Sequence, residues 1–251
     1  MINLSSLDIN NKNLVIRVDM NVPIKDGNIL DSTRIEASLP TIEYALKNNA
    51  KILLISHLGR PIEGEYEESF SLKPVAKYLS KIVNEPCNVI DDLDSKSFFN
   101  KESNIQLLEN IRFFEGEKAN CKDLGAKLAS LGDIYVFDAF GTAHREQAST
   151  HSAIECAPVA CAGLLLQREN KFLSLALNNH ESPYVAVIGG AKVSSKLELI
   201  KHIDSEADHI IVGGGIANTF LKAKGFDVGK SLFEDSMIDI AYNLIEKGKI
   251  I

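Results

Sequence analysis

KILLISHLGRP, residues 51–61, decides the fold class: an apolar run, ILLI at 52–55, leads directly into a Gly-Pro turn that carries His57 and Arg60. A short unbroken apolar run bounded by turn residues fits a strand covered on both faces, as in a parallel sheet. On its N-terminal side lies the helix-compatible TRIEASLPTIEYALKNNA (33–50), preceded by a second strand-like run, LVIRV (14–18). On its C-terminal side the alternation continues through SLKPVAKYLSKIV (71–83), IQLL (105–108), CKDLGAKLASLG (121–132) and IYVFDAF (134–140). YVAVIGG (184–190), VSSKLELIKHIDSEADH (193–209) and HIIVGGG (209–215) repeat it. Strand and helix in strict alternation imply right-handed βαβ units, hence an α/β fold: a doubly wound, Rossmann-like parallel sheet with helices on both faces. Ligands of such sheets bind beyond the carboxyl ends of the strands, where His57, Arg60 and Arg145 are expected to emerge.

At 251 residues the chain exceeds the common domain size of about 100–150 residues, which favours two domains or one large one. GLLLQRENKFLSLALNNHES (163–182) reads as an amphipathic helix stopped by Pro183, and is expected to connect a first domain, 1–162, to a second, 183–251. The second holds only about two βα units before the sequence EKGKII, so it is expected to be incomplete. Apolar content of 45% with 24% charge suits a soluble protein, and no apolar run is long enough to span a bilayer. The N-terminal MINLSSLDINNKN has no signal-peptide pattern, which points to the cytoplasm. Cys87, Cys121, Cys156 and Cys161 form no CxxC pair and no zinc spacing, so reduced core thiols and no metal site are expected. A net charge of −7 argues against a nucleic-acid surface, which needs a basic field. Any positive potential must be local.

Arginine usage locates it. Of 27 basic residues six are arginine, and five of these, Arg17, Arg34, Arg60, Arg112 and Arg145, fall in or near strand ends; Arg168 does not. A guanidinium presents a rigid fork of donors that matches carboxylate and phosphate oxygens, whereas lysine offers a hydrated point charge. The cluster therefore reads as an anion site. In SHLGRP, His57 and Arg60 can face one ligand while Gly59 permits close backbone approach, although the turn alone is equally compatible with a purely structural role. DMNVP (19–23) offers Asp19 and Asn21 for ligand hydroxyls, or an Asx turn before Pro23. GTAHREQAST (141–150) and the following His151 gather Thr142, His144, Arg145, Ser149 and Thr150 after a strand. His180, His202 and His209 have no such company and read as ordinary surface or core histidines.

GGAKVSSK (189–196) reads as a strand, a glycine turn and a helix start, with Lys192 and Lys196 one helical turn apart. Backbone N–H groups and the helix dipole at such a start favour phosphate. GGG (213–215) would let a flat ring lie on bare backbone, or simply form a tight turn. GFDVGKS (225–231) has one residue too few between its glycines for a P-loop, and GGGIANTF lacks the third glycine of a dinucleotide fingerprint despite Glu234 downstream. A nicotinamide-dependent oxidoreductase is disfavoured accordingly.

In order along the chain, RVDMNVP, DSTRIEASLPTI, SHLGRP, LLENIRFFEGE, DAFGTAHREQAST, VIGGAKVSSK and IVGGGIANTFL resemble the phosphoglycerate kinase family. Seven ordered motifs over essentially the whole chain are far more specific than any one. The resemblance implies a two-domain, monomeric glycolytic enzyme that moves a phosphoryl group between 1,3-bisphosphoglycerate and ADP, giving 3-phosphoglycerate and ATP. By it, Asp19 and Asn21 bind the glycerate region, and His57, Leu58, Gly59, Arg60, Arg112 and Arg145 bind the non-transferred phosphate. Arg34 and Lys196 would be catalytic. Gly190, Ala191, Lys192, Lys196, Gly214 and Gly215 would bind the nucleotide, and hinge closure at the connector would unite the substrates. Mg²⁺ would be held by the nucleotide and by a residue absent from this chain. The alternative is a non-catalytic fragment that binds 3-phosphoglycerate. Gln147 stands where many members carry a second histidine, and the loop is expected to tolerate it.

Overall fold

The structure, a computed structural model, describes residues 1–93, 99, 103–178 and 181–251. Of the expected 163–182 helix, Asn179 and His180 lie outside the described residues, and Glu181 and Ser182 are not helical. The chain divides into two compact units, Met1–Lys171 and Phe172–Ile251.

The first unit is built on strands β1 (Asn13–Val18), β4 (Lys51–Ile55), β5 (Cys87–Ile90), β6 (Ile105–Leu108), β7 (Ile134–Asp138) and β8 (Ala160–Ala162), all parallel, in the order β5-β6-β4-β1-β7-β8. A small antiparallel hairpin, β2 (Ile24–Lys25) and β3 (Asn28–Ile29), stands apart. Alternate side chains of a strand point to opposite faces. Leu14, Ile16 and Val18 of β1 accordingly pack with Ile35 and Ile42 of helix α1 (Thr33–Lys47) and Val75 and Leu79 of α2 (Lys73–Val83). Val15 packs on the other side with Leu124 and Leu128 of α3 (Lys122–Ser130) and Ala153 of α4 (Ala153–Cys156). Helices thus cover both faces. Arg17 lies on the Val15 face, so the strand directs a cation into the core. β1 feeds β4 on one side, and the chain later returns to place β7 on its other side. The switch point of the sheet is therefore between β1 and β7.

Strands β5 and β8 escape a pattern search because they are short and contain small or polar residues, CNVI and ACA. Of the four free thiols, Cys87 and Cys161 are core residues pushed up to about 12 by burial, but Cys121 is half-buried and Cys156 exposed. The expectation of four core thiols therefore fails for two of them. Helix α5 (Leu164–Asn178) contains the division between the units.

The second unit pairs β9 (Val185–Gly190) with β10 (His209–Gly213) in parallel. Helices α6 (Leu197–Glu206), α7 (Gly214–Ala223) and α8 (Ile238–Glu246) contribute Ile200, Phe220 and Leu244 to a core with Ile188 and Ile210. His202 and His209 are exposed. Among the described residues no helix is long and apolar enough to cross a membrane.

Candidate active site

β1 ends at Val18, so Asp19 and Asn21 stand just past its carboxyl end, beside the loop that follows β4. The Asn21 amide donates to Asp19 Oδ1 at 3.2 Å, an Asx contact, and Asn21 Oδ1 accepts the Gly59 N–H at 3.0 Å. The Asx-turn reading of DMNVP is thus realised, and the turn also holds the SHLGRP loop. Gly59 has φ +59, and a Cβ there would sit 2.2 Å from the Phe70 ring, so only glycine fits.

Asn110 does most of the bracing, and sequence reading passed over it. Its Oδ1 accepts from the Leu58 and Arg112 amides, both at 3.1 Å, and its Nδ2 donates to the carbonyls of Leu58 at 2.7 Å and Phe70 at 3.0 Å. Leu58, with its side chain in the core and both backbone groups committed, is part of the frame rather than a free donor. Glu109 beside it accepts from Ser71 Oγ and from the Leu72 and Asn110 amides, which fixes the entry to α2. The signal that could have found this pair is two adjacent polar residues directly after an apolar strand.

Four of the arginines converge on His57, which is 2% exposed. Burial, and then the charges of Arg17, Arg112, Arg145 and Arg34, push its imidazole down to about 2. It is neutral across the physiological range. Arg112 is buried, donates to the Gly59 carbonyl and leaves its Nε without a partner among the described residues. Burial and the neighbouring Arg145 and Arg17 charges press it towards deprotonation. Arg60 is exposed and Arg145 half-buried. Asp19 and Glu117 are the carboxylates that answer these cations, so positive charge is in surplus in a chain of net charge −7. Such a surplus is the electrostatic form of an anion site.

Arg17 departs from expectation. It is wholly buried, with its donors spent on the Val18 carbonyl, Ser149 Oγ and His57, so it faces no ligand. Ser149 and Thr150 are likewise buried and structural. Ser149 binds the buried Glu117 through its amide at 2.9 Å and its hydroxyl at 2.6 Å. Gln147 forms a capping box with Thr150, the local reason that a glutamine serves there.

At the switch point between β1 and β7 lies an open cleft of about 210 Å³ lined by Asp19, Arg34, Asp138, Phe140, Gly141 and Glu169. Arg34, 56% exposed, pairs with Asp19 at 2.8 Å. Asp138 is a structural group: it accepts from Thr41 Oγ1 at 2.6 Å and from the Leu166 amide at 2.8 Å, holding the first turn of α5. Glu169 was not foreseen, and burial and then Asp19 push its carboxyl upward.

In the second unit Lys192 and Lys196 are exposed. A 3₁₀ turn (Ser194–Lys196) precedes α6, and its Ser194 amide and hydroxyl are already taken by Glu234 at 2.9 and 2.6 Å. A Cβ on Gly214 would meet the Gly190 carbonyl at 2.8 Å, and one on Gly215 the Ala191 carbonyl at 2.3 Å. Those glycines are used for packing one strand end on the other, whereas Gly189 and Gly213 border open space. The described residues contain no group of three metal-ligating side chains.

A family model described as phosphoglycerate kinase matches residues 4–250. The chain is 49% identical over 247 residues to phosphoglycerate kinase of Francisella tularensis subsp. novicida, covering 98% of this chain and 62% of the relative. It is 49% identical over 246 residues to that of Desulfovibrio desulfuricans, covering 98% of this chain and 63% of the relative. Among solved structures, phosphoglycerate kinase from Coxiella burnetii superposes with a TM-score of 0.86 at 46% identity, covering 98% of this chain and 63% of that one. The enzyme from Pyrococcus horikoshii superposes at 0.82 with 30% identity, covering 100% and 66%. The chain thus spans somewhat under two thirds of the length of these curated relatives.

Proposed function

The chain belongs to the phosphoglycerate kinase family, and from that premise we propose that it serves reversible phosphoryl transfer from 1,3-bisphosphoglycerate to ADP, giving 3-phosphoglycerate and ATP. The observation that carries this reading is the surplus of guanidinium groups around a neutral, buried His57 at the carboxyl ends of β1 and β4. His57, the Gly59 loop, Arg60, Arg112 and Arg145 hold the phosphate that is not transferred. Asp19 and Asn21 bind the glycerate hydroxyl and carboxylate region. Arg34 is the catalytic cation at the moving phosphoryl group. Its exposed pair with Asp19 is worth at most about 1 kcal/mol and exchanges readily for an anion.

Both nucleophiles, a carboxylate and an ADP phosphate oxygen, are ionised at neutral pH, so the site needs charge and position rather than a general base. A histidine held neutral by burial and then by four arginines suits that demand: it contributes an N–H donor and no proton traffic. Lys192 and Lys196 meet the nucleotide phosphates, with Lys196 following the transferred group, and Gly190, Ala191, Gly214 and Gly215 form the wall beneath the adenosine. Mg²⁺ is proposed to arrive on the nucleotide. Calorimetric titration with 3-phosphoglycerate, followed by a coupled assay of ATP formation, tests the reading. Saturable binding much tighter than that of glycerate is expected. Equal affinity for the two would refute a phosphate site.

A further inference from the structure

Arg17 has the wrong exposure for a substrate ligand and the right contacts for something else. Its Nε donates to Ser149 Oγ at 2.9 Å, and one terminal nitrogen lies 3.4 Å from His57 Nδ1. Ser149 belongs to the segment that continues from Arg145, and His57 to the segment that contains Arg60, so one side chain ties both arginine-bearing loops to β1. Behind it, Glu117 grips Ser149 twice, and the Tyr135 hydroxyl donates to the Ser149 carbonyl at 2.6 Å. The serine therefore has no freedom to leave.

A guanidinium is only a donor. Opposite it, Nδ1 of His57 must carry a lone pair, which puts the single proton of the neutral ring on Nε2. The alternative partner for a protonated Nδ1, Asp19 Oδ1, is 3.9 Å away, beyond a hydrogen bond. A protonated Nδ1 would also point its hydrogen at a cation.

We propose that Arg17 is a positioning residue: buried beneath the anion site and touching no substrate, it fixes His57 as the Nε2–H tautomer and thereby makes the imidazole a donor to the bound phosphate. The inference rests on the phosphoglycerate reading for the identity of the anion only; the tautomer is a property of the free protein. Charge surplus alone would attract a phosphate without orienting it. A fixed Nε2–H adds direction, because a donor aimed by a second hydrogen bond loses little freedom on binding.

Nitrogen-detected NMR of ¹⁵N-histidine-labelled protein, assigned with His57→Gln, reads the tautomer directly. The free wild-type protein is expected to show His57 as Nε2–H, and Arg17→Met to show a mixture or the Nδ1–H form, with 3-phosphoglycerate affinity lowered about tenfold, the effect of one hydrogen bond to a charged group. Should Arg17→Met fail to fold, Ser149→Ala, which removes the Nε acceptor together with the hydroxyl donated to Glu117, is expected to shift the tautomer in the same direction with a loss of a few-fold. An Nδ1–H ring in the wild type, or an unchanged Nε2–H ring in folded variants, would overturn the proposal. An Nε2–H ring in a protein that does not distinguish 3-phosphoglycerate from glycerate would uphold the tautomer and defeat the substrate reading instead.

Discussion

Lowering the pH from 7 to 5 should destabilise this protein through one buried imidazole. His57 is neutral in the folded state, pushed down to about 2 by burial and by Arg17, Arg112, Arg145 and Arg34, while in the unfolded chain it has its ordinary value of 6.5. Because the folded pKa is depressed, the unfolded state takes up the proton first, and stability falls as pH drops below 6.5. At pH 5 the unfolded form is favoured by about 1.5 pK units, and at about 1.36 kcal/mol per unit the loss relative to pH 7 is about 2 kcal/mol. Buried carboxyls work against it: Asp138 and Glu117 are pushed up by burial and favour the folded state as the pH falls. The comparison with His57→Gln removes that background. Urea unfolding, followed by far-UV circular dichroism since the chain has no tryptophan, should show the gap between the two proteins closing by about 2 kcal/mol from pH 7 to pH 5. Parallel curves would mean that His57 titrates normally, and the electrostatic account of the site would fall with it.

Asn110→Ala strips partners from two buried amides, one buried carbonyl and one half-buried carbonyl, and should cost about 3–5 kcal/mol by urea unfolding; a loss under about 1 kcal/mol would show that the SHLGRP loop braces itself. Gly163→Ala sets a Cβ 2.3 Å from the Asp138 carboxyl, which Thr41 and Leu166 hold in place. It should lower stability by about 2 kcal/mol and Tm by roughly 6 °C, and a neutral thermal scan would contradict the rigidity assigned to that cap. Arg34→Ala should reduce kcat about a hundredfold or more with 3-phosphoglycerate affinity within a few-fold, and equal losses in both would sink its assignment to the transferring group. Arg145→Ala should weaken 3-phosphoglycerate about tenfold by calorimetry, and unchanged affinity would remove it from the phosphate site.

Read in order, the sequence determined the fold class of this protein by itself. Unbroken apolar runs such as ILLI at 52–55 cannot be half-exposed strands, and with helical stretches between them a parallel, two-sided sheet is the remaining arrangement. It also placed the polar donors, because residues that follow a parallel strand lie at the sheet's ligand-binding edge. The short strands Cys87–Ile90 and Ala160–Ala162 were illegible for the converse reason: they have no periodic or apolar signature and exist because a neighbouring strand offers its edge. What only the tertiary structure decided is the division of labour among like residues. Arg17 and Arg34 are the same amino acid near the same cleft, yet one is sealed in the core and the other is 56% exposed. That difference comes from what lies opposite. Ser149, far along the chain, takes the Nε donor of Arg17 and is itself held by Glu117, while Arg34 pairs with Asp19 at the open cleft. Burial and hydrogen-bond satisfaction are sums over neighbours brought together by folding, and no local stretch of sequence contains them.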